Sequence, residues 1–511
     1  MSSLRDRPIA CVGFMGAGKS TAAESIAAVL GTEAIDVDQV VEARLGKSIE
    51  RTFAEDGEEA FRAAEERITL ELLEAPGPAV LALGGGAIMH ASVRAALAGH
   101  LVIWLDITAE AAWGRARHSG RPLAKEWGSF ERLYAEREPI YAALADVIVP
   151  NQRSREMAAV LEAGKDMPGG GKLLWAVTDS RDYPVYVGSG LLSSNGYWPS
   201  IVPGERFLVS DGAVARLYGE LFEPLAGRVV IMPGEQSKTV AHADIVWTEL
   251  AKAGMTRTDV VVALGGGVVG DLAGFCAATY QRGVSYVQVP TTLVAQVDSA
   301  YGGKTGVDLA EAKNYVGAYH QPAAVIVDPD TLSTLPEAEV SAGYAEVLKT
   351  ALIAGGGLWQ AVRARVGAAT PEIVLACARA KLRIVAEDER DSGARQVLNL
   401  GHTVGHAIET VTGYARYRHG EAVALGLLAA LRLSAQPDLR DEVVGLLAEH
   451  GLPTTLDGVD PDAVVMATAR DKKRLGNGPV PFVLLDAPGV ARPGCPVEPR
   501  ELIAAVRELV A

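Results

Sequence analysis

Apolar residues along the first third of the chain follow two alternating rhythms. Short runs (IACVGF, AVLALGG, LVIWLD, DVIVP) are separated by charged stretches whose apolar residues recur at helical spacing. Continuous apolar strands alternating with helices predict a parallel α/β sheet. The rhythm breaks at GKDMPGGGK, residues 164–172, which reads as a flexible linker and domain boundary. A second α/β series follows in YPVYVGSG, RFLVSDG, RVVIMPG, DVVVALGGG, VSYVQVP and AVIVDP. From 336 the strand signal fades into Ala-, Leu-, Glu- and Arg-rich segments that predict helices, with PVPFVLLD as a late strand. The expected organisation is a domain over 1–163, the linker 164–172, an α/β domain over 173–335 and a helical domain over 336–511.

Composition narrows the function. A chain of 511 residues needs more than one core. Its formal charge of -15 argues against nucleic acid as a partner, so small anions must be met by local arginines and lysines. The four cysteines, Cys11, Cys276, Cys377 and Cys495, form no CxxC pair, which fits reduced thiols and a cytoplasmic location. No run of apolar residues is long enough for a membrane span, and the N-terminus lacks a signal-peptide core.

GFMGAGKS, Gly13 to Ser20, fits GxxxxGK[ST] between an apolar strand and a helical stretch. Such a loop wraps backbone N–H groups around phosphate, with Lys19 reaching the β/γ phosphates and Ser20 on magnesium. Asp36 and Asp38 in AIDVD, two apart, point the same way on a strand and suit a polyol or a metal's water shell. Arg62, Arg121 and Arg137 suit an acidic substrate. With GGG at 84–86, GRPL and REPIYAALAD in this order, residues 5–155 resemble shikimate kinase. That resemblance implies ATP contacts at Gly16, Ala17, Gly18, Lys19, Ser20, Thr21 and the lid residue Arg121, with magnesium held near Ser20 and Asp36. It gives shikimate to Asp38, Arg62, Gly84, Gly85, Gly86 and Arg137. Ala124 and Trp127 in the lid stretch match no expected role.

In the second half, VVVALGGGVVGDLAGF ends a strand on three glycines ahead of Asp271, an arrangement that suits a pyrophosphate. PGEQSK offers Glu235 and Lys238, and the PTTLVAQVDSAYGGKTG stretch with its sequel offers Asp298, Lys304, Lys313 and Asn314. His402 and His406 are four apart and share a helix face, a geometry that suits two ligands of one metal. His419 and Glu346 are further candidates for a three-ligand zinc site.

Together with GYAEVLK, LNLGHTVGHAIE, HGEAVALG and DKK, these stretches make residues 181–511 similar to 3-dehydroquinate synthase. The resemblance reassigns the histidines: Glu346, His402 and His419 would hold zinc or cobalt, and His406 would serve hydrogen bonding and proton transfer at the substrate phosphate. It implies substrate contacts at Asp298, Lys304, Asn314, Lys349, Lys381, Arg395, Asn399 and Lys473, or else Lys472, with Lys313 between nucleotide and substrate. NAD would meet Asp211, Glu235, Lys238, Gly266, Gly267, Asp271, Thr291, Thr292, Lys313 and Asn314. Arg282 would reach a neighbouring subunit's site, which implies a homodimer. One departure is Asp391, where the family has glutamate.

The fold class expected is thus α/β: a P-loop kinase sheet, a Rossmann-like NAD domain and an α-helical metal-binding domain. The function expected is shikimate phosphorylation by ATP with magnesium, plus NAD- and zinc-dependent cyclisation of 3-deoxy-D-arabino-heptulosonate 7-phosphate to 3-dehydroquinate. These are non-adjacent steps, so direct channelling is not expected. The alternatives are another sugar phosphate cyclase or a polyol dehydrogenase, fused to a different P-loop kinase or a non-catalytic nucleotide-binding domain.

Overall fold

The continuous apolar runs of the first third become buried parallel strands. The computed structural model describes residues 7–77, 79–117, 123–193, 197–309, 313–367, 369–468 and 481–510. It divides the chain into two units. The first holds residues up to Ala176 with Pro184–Gly188 and Tyr197–Val202, and the second holds the rest.

In the first unit, parallel strands lie in the order Ala34–Asp36, Val80–Ala82, Ile9–Val12, Leu101–Asp106, Val147–Pro150 and Lys172–Ala176. Ile9–Val12 and Leu101–Asp106 are buried at every position, which explains why they read as unbroken apolar runs. The stretch 164–172 behaves differently from a linker. The helix Met157–Gly164 ends there, and Lys172 already begins a strand in register with Val147 and Ile148. The Lys172 ammonium donates to the carbonyls of Ala142, Ala143 and Ala145 at 3.2, 3.1 and 2.6 Å, closing the end of the helix Trp127–Leu144. The glycines therefore turn the chain inside the first unit, and the division falls beyond Ala176. Likewise most of the strand Tyr183–Val187, expected in the second α/β domain, counts with the first unit.

In the second unit, five parallel strands run in the order Ala324–Val327, Ser285–Pro290, Val260–Gly265, Arg206–Asp211 and Gly227–Ile231. Helices follow from Glu337 on, and the late strand Phe482–Ala487 pairs antiparallel with Val490–Cys495. Two glycines let the site-bearing helices close. A Cβ on Gly420 would run into the Ala342 carbonyl, and one on Gly426 into the Gly401 carbonyl. Without side chains there, the helix His419–Leu433 approaches both the helix Glu337–Ala354 and the start of the helix His402–Val411 at backbone distance. Among the described residues no helix is long and apolar enough to cross a membrane.

Candidate active sites

In the first unit the strand Ile9–Val12 delivers the chain to the phosphate loop. Gly16 and Gly18 take φ of 80° and 91°, a conformation that lets successive N–H groups converge on an anion at the start of the helix Lys19–Leu30. Ala17 is fully buried beneath the loop, and Thr21 follows in the helix. Lys19 Nζ donates to the Phe14 carbonyl at 3.3 Å. Ser20 Oγ donates to Asp36 Oδ2 at 2.5 Å, bringing a hydroxyl and a carboxylate together as a hard-cation site requires. The other oxygen of Asp36 accepts from the amides of Asp38 (3.0 Å) and Gln39 (3.3 Å), which fixes the carboxylate at the head of the next helix. Arg115, which the sequence reading passed over, donates to the Gly16 carbonyl at 2.9 Å.

The glycine triplet collects the acceptor side. Arg137, 3% exposed, and Tyr141 donate to the Gly85 carbonyl at 2.9 and 2.7 Å, while Arg137 Nε is buried without a hydrogen-bond partner. A Cβ on Gly84 would lie 2.5 Å from Glu65 Oε1 and 2.6 Å from Asp38 Oδ1, and one on Gly86 would collide with the Arg62 guanidinium. Arg62 is braced by Glu65 at 2.6 Å and Glu58 at 3.3 Å, with the Phe61 ring 5.3 Å away. Asp38, Arg62, Arg137 and the triplet therefore share one locality, together with Glu65, which was not anticipated. Glu65 is 2% exposed, and burial raises its carboxyl pKa against the pull of Arg62. Its spacing of three from Arg62 was the available signal. Arg121 lies outside the described residues.

In the second unit, Glu346, His402 and His419 present ligand atoms within 4.8 Å of one another. Glu346 is fully buried, and Nε2 of His402 and of His419 lie 3.5 and 3.3 Å from its Oε1. Neither oxygen of Glu346 makes a hydrogen bond of good geometry, although Lys349 Nζ lies 2.5 Å from Oε2. The opposite ring nitrogens are engaged: His402 Nδ1 lies 3.2 Å from the Leu400 carbonyl and His419 Nδ1 3.4 Å from Glu409 Oε2. Both Nε2 atoms face the carboxylate while each Nδ1 is held from behind, so a metal ion taking the place of an Nε2 proton would meet an oriented ligand set. Burial opposes charge on His419, but the carboxylates of Glu346 and Glu409 on either side of the ring outweigh it and lift its pKa to about 10. The place favours a cation. Three protein ligands with room beside them fit a catalytic zinc or cobalt site. His406 shares the helix face with His402, ring centroids 5.3 Å apart, yet it stands outside the Glu346 trio.

Lysines gather on the other side of Glu346. Asp298, on a single π-helical turn Ala295–Ser299, faces Lys349 Nζ at 3.1 Å and also pairs with Lys381. Burial raises the Asp298 pKa, and the two lysines more than reverse that. Lys304 pairs with Asp391. Arg395, 1% exposed, donates to the carbonyls of Glu389 (2.5 Å) and Gly302 (3.0 Å), so it braces two loops of the site. Asn399 donates to Gln396 O at 3.0 Å. Lys472 and Lys473 lie outside the described residues. Asp391 sits at φ 58°, where aspartate is tolerated better than a longer side chain.

A cavity of about 800 Å³ opens at the strand ends, where doubly wound sheets bind ligands. Its walls include Asp211, Glu235, Lys238, Gly266, Gly267, Asp271, Thr291, Thr292, Lys313 and Asn314, with His406 and His419 at one end. Every NAD position expected from the sequence thus borders one space. Lys238 pairs with Asp271 at 2.6 Å, and Asp211 also caps the helix Gly212–Tyr218. Arg282 is exposed, and it and Gln281 both have positive φ (68° and 48°).

Family comparison agrees with this geometry. Residues 15–167 match the shikimate kinase model, 228–342 the 3-dehydroquinate synthase N-terminal model and 343–474 its C-terminal model. The 3-dehydroquinate synthase of Halorhodospira halophila is 44% identical over 332 residues, covering 62% of this chain and 94% of that protein. That of Symbiobacterium thermophilum is 44% identical over 331 residues, covering 60% and 92%. Among solved structures, a 2-deoxy-scyllo-inosose synthase complexed with carbaglucose-6-phosphate, NAD and cobalt is similar with a TM-score of 0.59 and 26% identity, covering 66% of this chain and 100% of that one. The 2-epi-5-epi-valiolone synthase of Streptomyces hygroscopicus, with NAD and zinc bound, gives 0.59 and 26%, covering 65% and 98%. The chain belongs to the 3-dehydroquinate synthase family and carries a shikimate kinase domain ahead of it, so one polypeptide holds two enzymes of the shikimate pathway.

Proposed function

We propose that each unit uses the residues described above in the roles that its family resemblance implies. In the kinase, the phosphate loop and Lys19 hold the ATP phosphates, and Ser20 with Asp36 holds magnesium. Asp38 takes the acceptor's hydroxyls, and Arg62 with Arg137 takes its carboxylate. Phosphoryl transfer then depends on alignment and charge neutralisation rather than covalent catalysis. The convergence of both arginines and Asp38 on the glycine triplet supports this reading.

In the synthase, Glu346, His402 and His419 hold zinc or cobalt, and the cavity bordered by Gly266, Gly267 and Asp271 holds NAD. Bound there, NAD would supply reversible hydride transfer and the metal would supply polarisation of the hydroxyl being oxidised. Lys304, Lys349 and Lys381 bind the anionic groups of 3-deoxy-D-arabino-heptulosonate 7-phosphate, Asp298 keeps two of those lysines in place, and His406 carries a proton near the phosphate. The observation that carries this reading is the Glu346–His402–His419 trio beside a dinucleotide-sized cavity. The exposed Arg282 suits a homodimer in which it enters the partner's site, and the reduced-thiol composition suits the cytoplasm. Purified protein should hold one metal per chain and release phosphate with no net reduction of NAD; accumulating NADH would instead mark a dehydrogenase.

Lys381 sets a pH limit. Burial lowers its pKa to about 8, with Asp298 opposing and Arg395 adding to the drop. A lowered lysine pKa means that the charge is present below pH 8 and lost above it. The kcat/KM for the phosphorylated substrate should therefore fall above about pH 8, approaching tenfold per unit. Lys381→Met should lower kcat/KM and flatten that limb; an unchanged alkaline slope in the variant would rule Lys381 out.

A further inference from the structure

Glu409 lies on the same helix as His402 and His406, is 3% exposed, and bridges two parts of the synthase site. Its Oε2 is 3.4 Å from His419 Nδ1, and its Oε1 is 3.4 Å from Lys313 Nζ. Lys313 in turn lies 3.5 Å from Glu235 Oε1, on the cavity wall, and 4.2 Å above the Tyr414 ring. The order Glu346–His419–Glu409–Lys313–Glu235 thus links the candidate metal site to the candidate nucleotide pocket through alternating charges.

We infer that Glu409 is a positioning residue that orients His419 for the metal and, through Lys313, ties metal affinity to occupation of the nucleotide pocket. The inference rests on the metal and NAD reading above. Glu409 faces the back of the imidazole, so it fixes the proton on Nδ1 and leaves Nε2 as ligand; a carboxylate there also makes the ring a stronger donor. Lys313 competes with His419 for the same carboxylate. A dinucleotide that draws Lys313 away from Glu409 leaves more of the Glu409 charge on His419, and metal binding tightens. By linkage, metal then tightens NAD binding by the same factor.

The test is metal affinity, not turnover. Zinc binding to the full-length chain is measured by competition with a chromophoric chelator, with and without saturating NAD. Wild type should bind one zinc per chain, about fivefold or more tightly with NAD present. Glu409→Leu should weaken zinc about 10- to 100-fold and abolish the NAD effect. The near-isosteric Glu409→Gln, which keeps an acceptor but no charge, should fall between and serves where the leucine variant does not fold. Lys313→Met should keep tight zinc binding and lose the NAD effect. Wild-type zinc affinity in both Glu409 variants would overturn the inference alone. So would two zinc ions per chain falling to one in Glu409→Gln, since His406, Glu409 and His419 would then form a second site. A wild-type chain that binds no zinc would overturn both this inference and the metal reading beneath it.

Discussion

His419→Ala is expected to strip the metal from the purified chain and to lower 3-dehydroquinate formation by about 10³-fold or more, several kcal/mol of barrier. The reason lies in how little else holds a cation there. Glu346 is buried and has no well-formed hydrogen bond, so one imidazole and one carboxylate would have to hold a divalent ion alone. Shikimate phosphorylation should continue at the wild-type rate, because every residue assigned to it lies before Ala176. The paired control is His406→Ala, which should retain metal and lose activity, since His406 stands outside the Glu346 trio. Elemental analysis beside both assays decides the matter. Full metal content in the His419 variant would remove the proposed ligand set.

Lys19→Ala should show the converse. Loss of the one lysine in the phosphate loop removes a preorganised positive charge from the transferring phosphoryl group, so kinase turnover should drop about 10²- to 10³-fold. Synthase turnover and metal content should not change. Wild-type phosphorylation in this variant would refute the phosphate-cradle assignment.

What could be read from the sequence was what depends on local spacing. The phosphate loop, the glycine turn after VVVAL and the strand runs need only neighbours in the chain, and the structure builds each as a strand running into a helix. The trio of Glu346, His402 and His419 was reached only through family resemblance. Spacing alone favoured His402 with His406, because periodicity reports a shared face but not what packs against it. Glu65 and Glu409 were missed for a related reason. A glutamate on an amphipathic helix reads as solvated until tertiary packing buries it, and both become buried only when glycines or neighbouring helices close over them. Lys172 shows the opposite error. Glycine-rich sequence reads as loose, yet its last residue locks a helix end.

The crowding around Gly84 and Gly86 bears on drug resistance. An inhibitor that mimics the kinase's acceptor would lie against a triplet where Gly84 has two carboxylate oxygens within 2.6 Å of any added methyl and Gly86 has the Arg62 guanidinium in the way. Escape by enlarging either glycine would displace Asp38, Glu65 or Arg62, groups proposed above to form the acceptor site. Selection under such a compound should therefore yield changes elsewhere in the domain, or raised expression, rather than substitutions at these two positions.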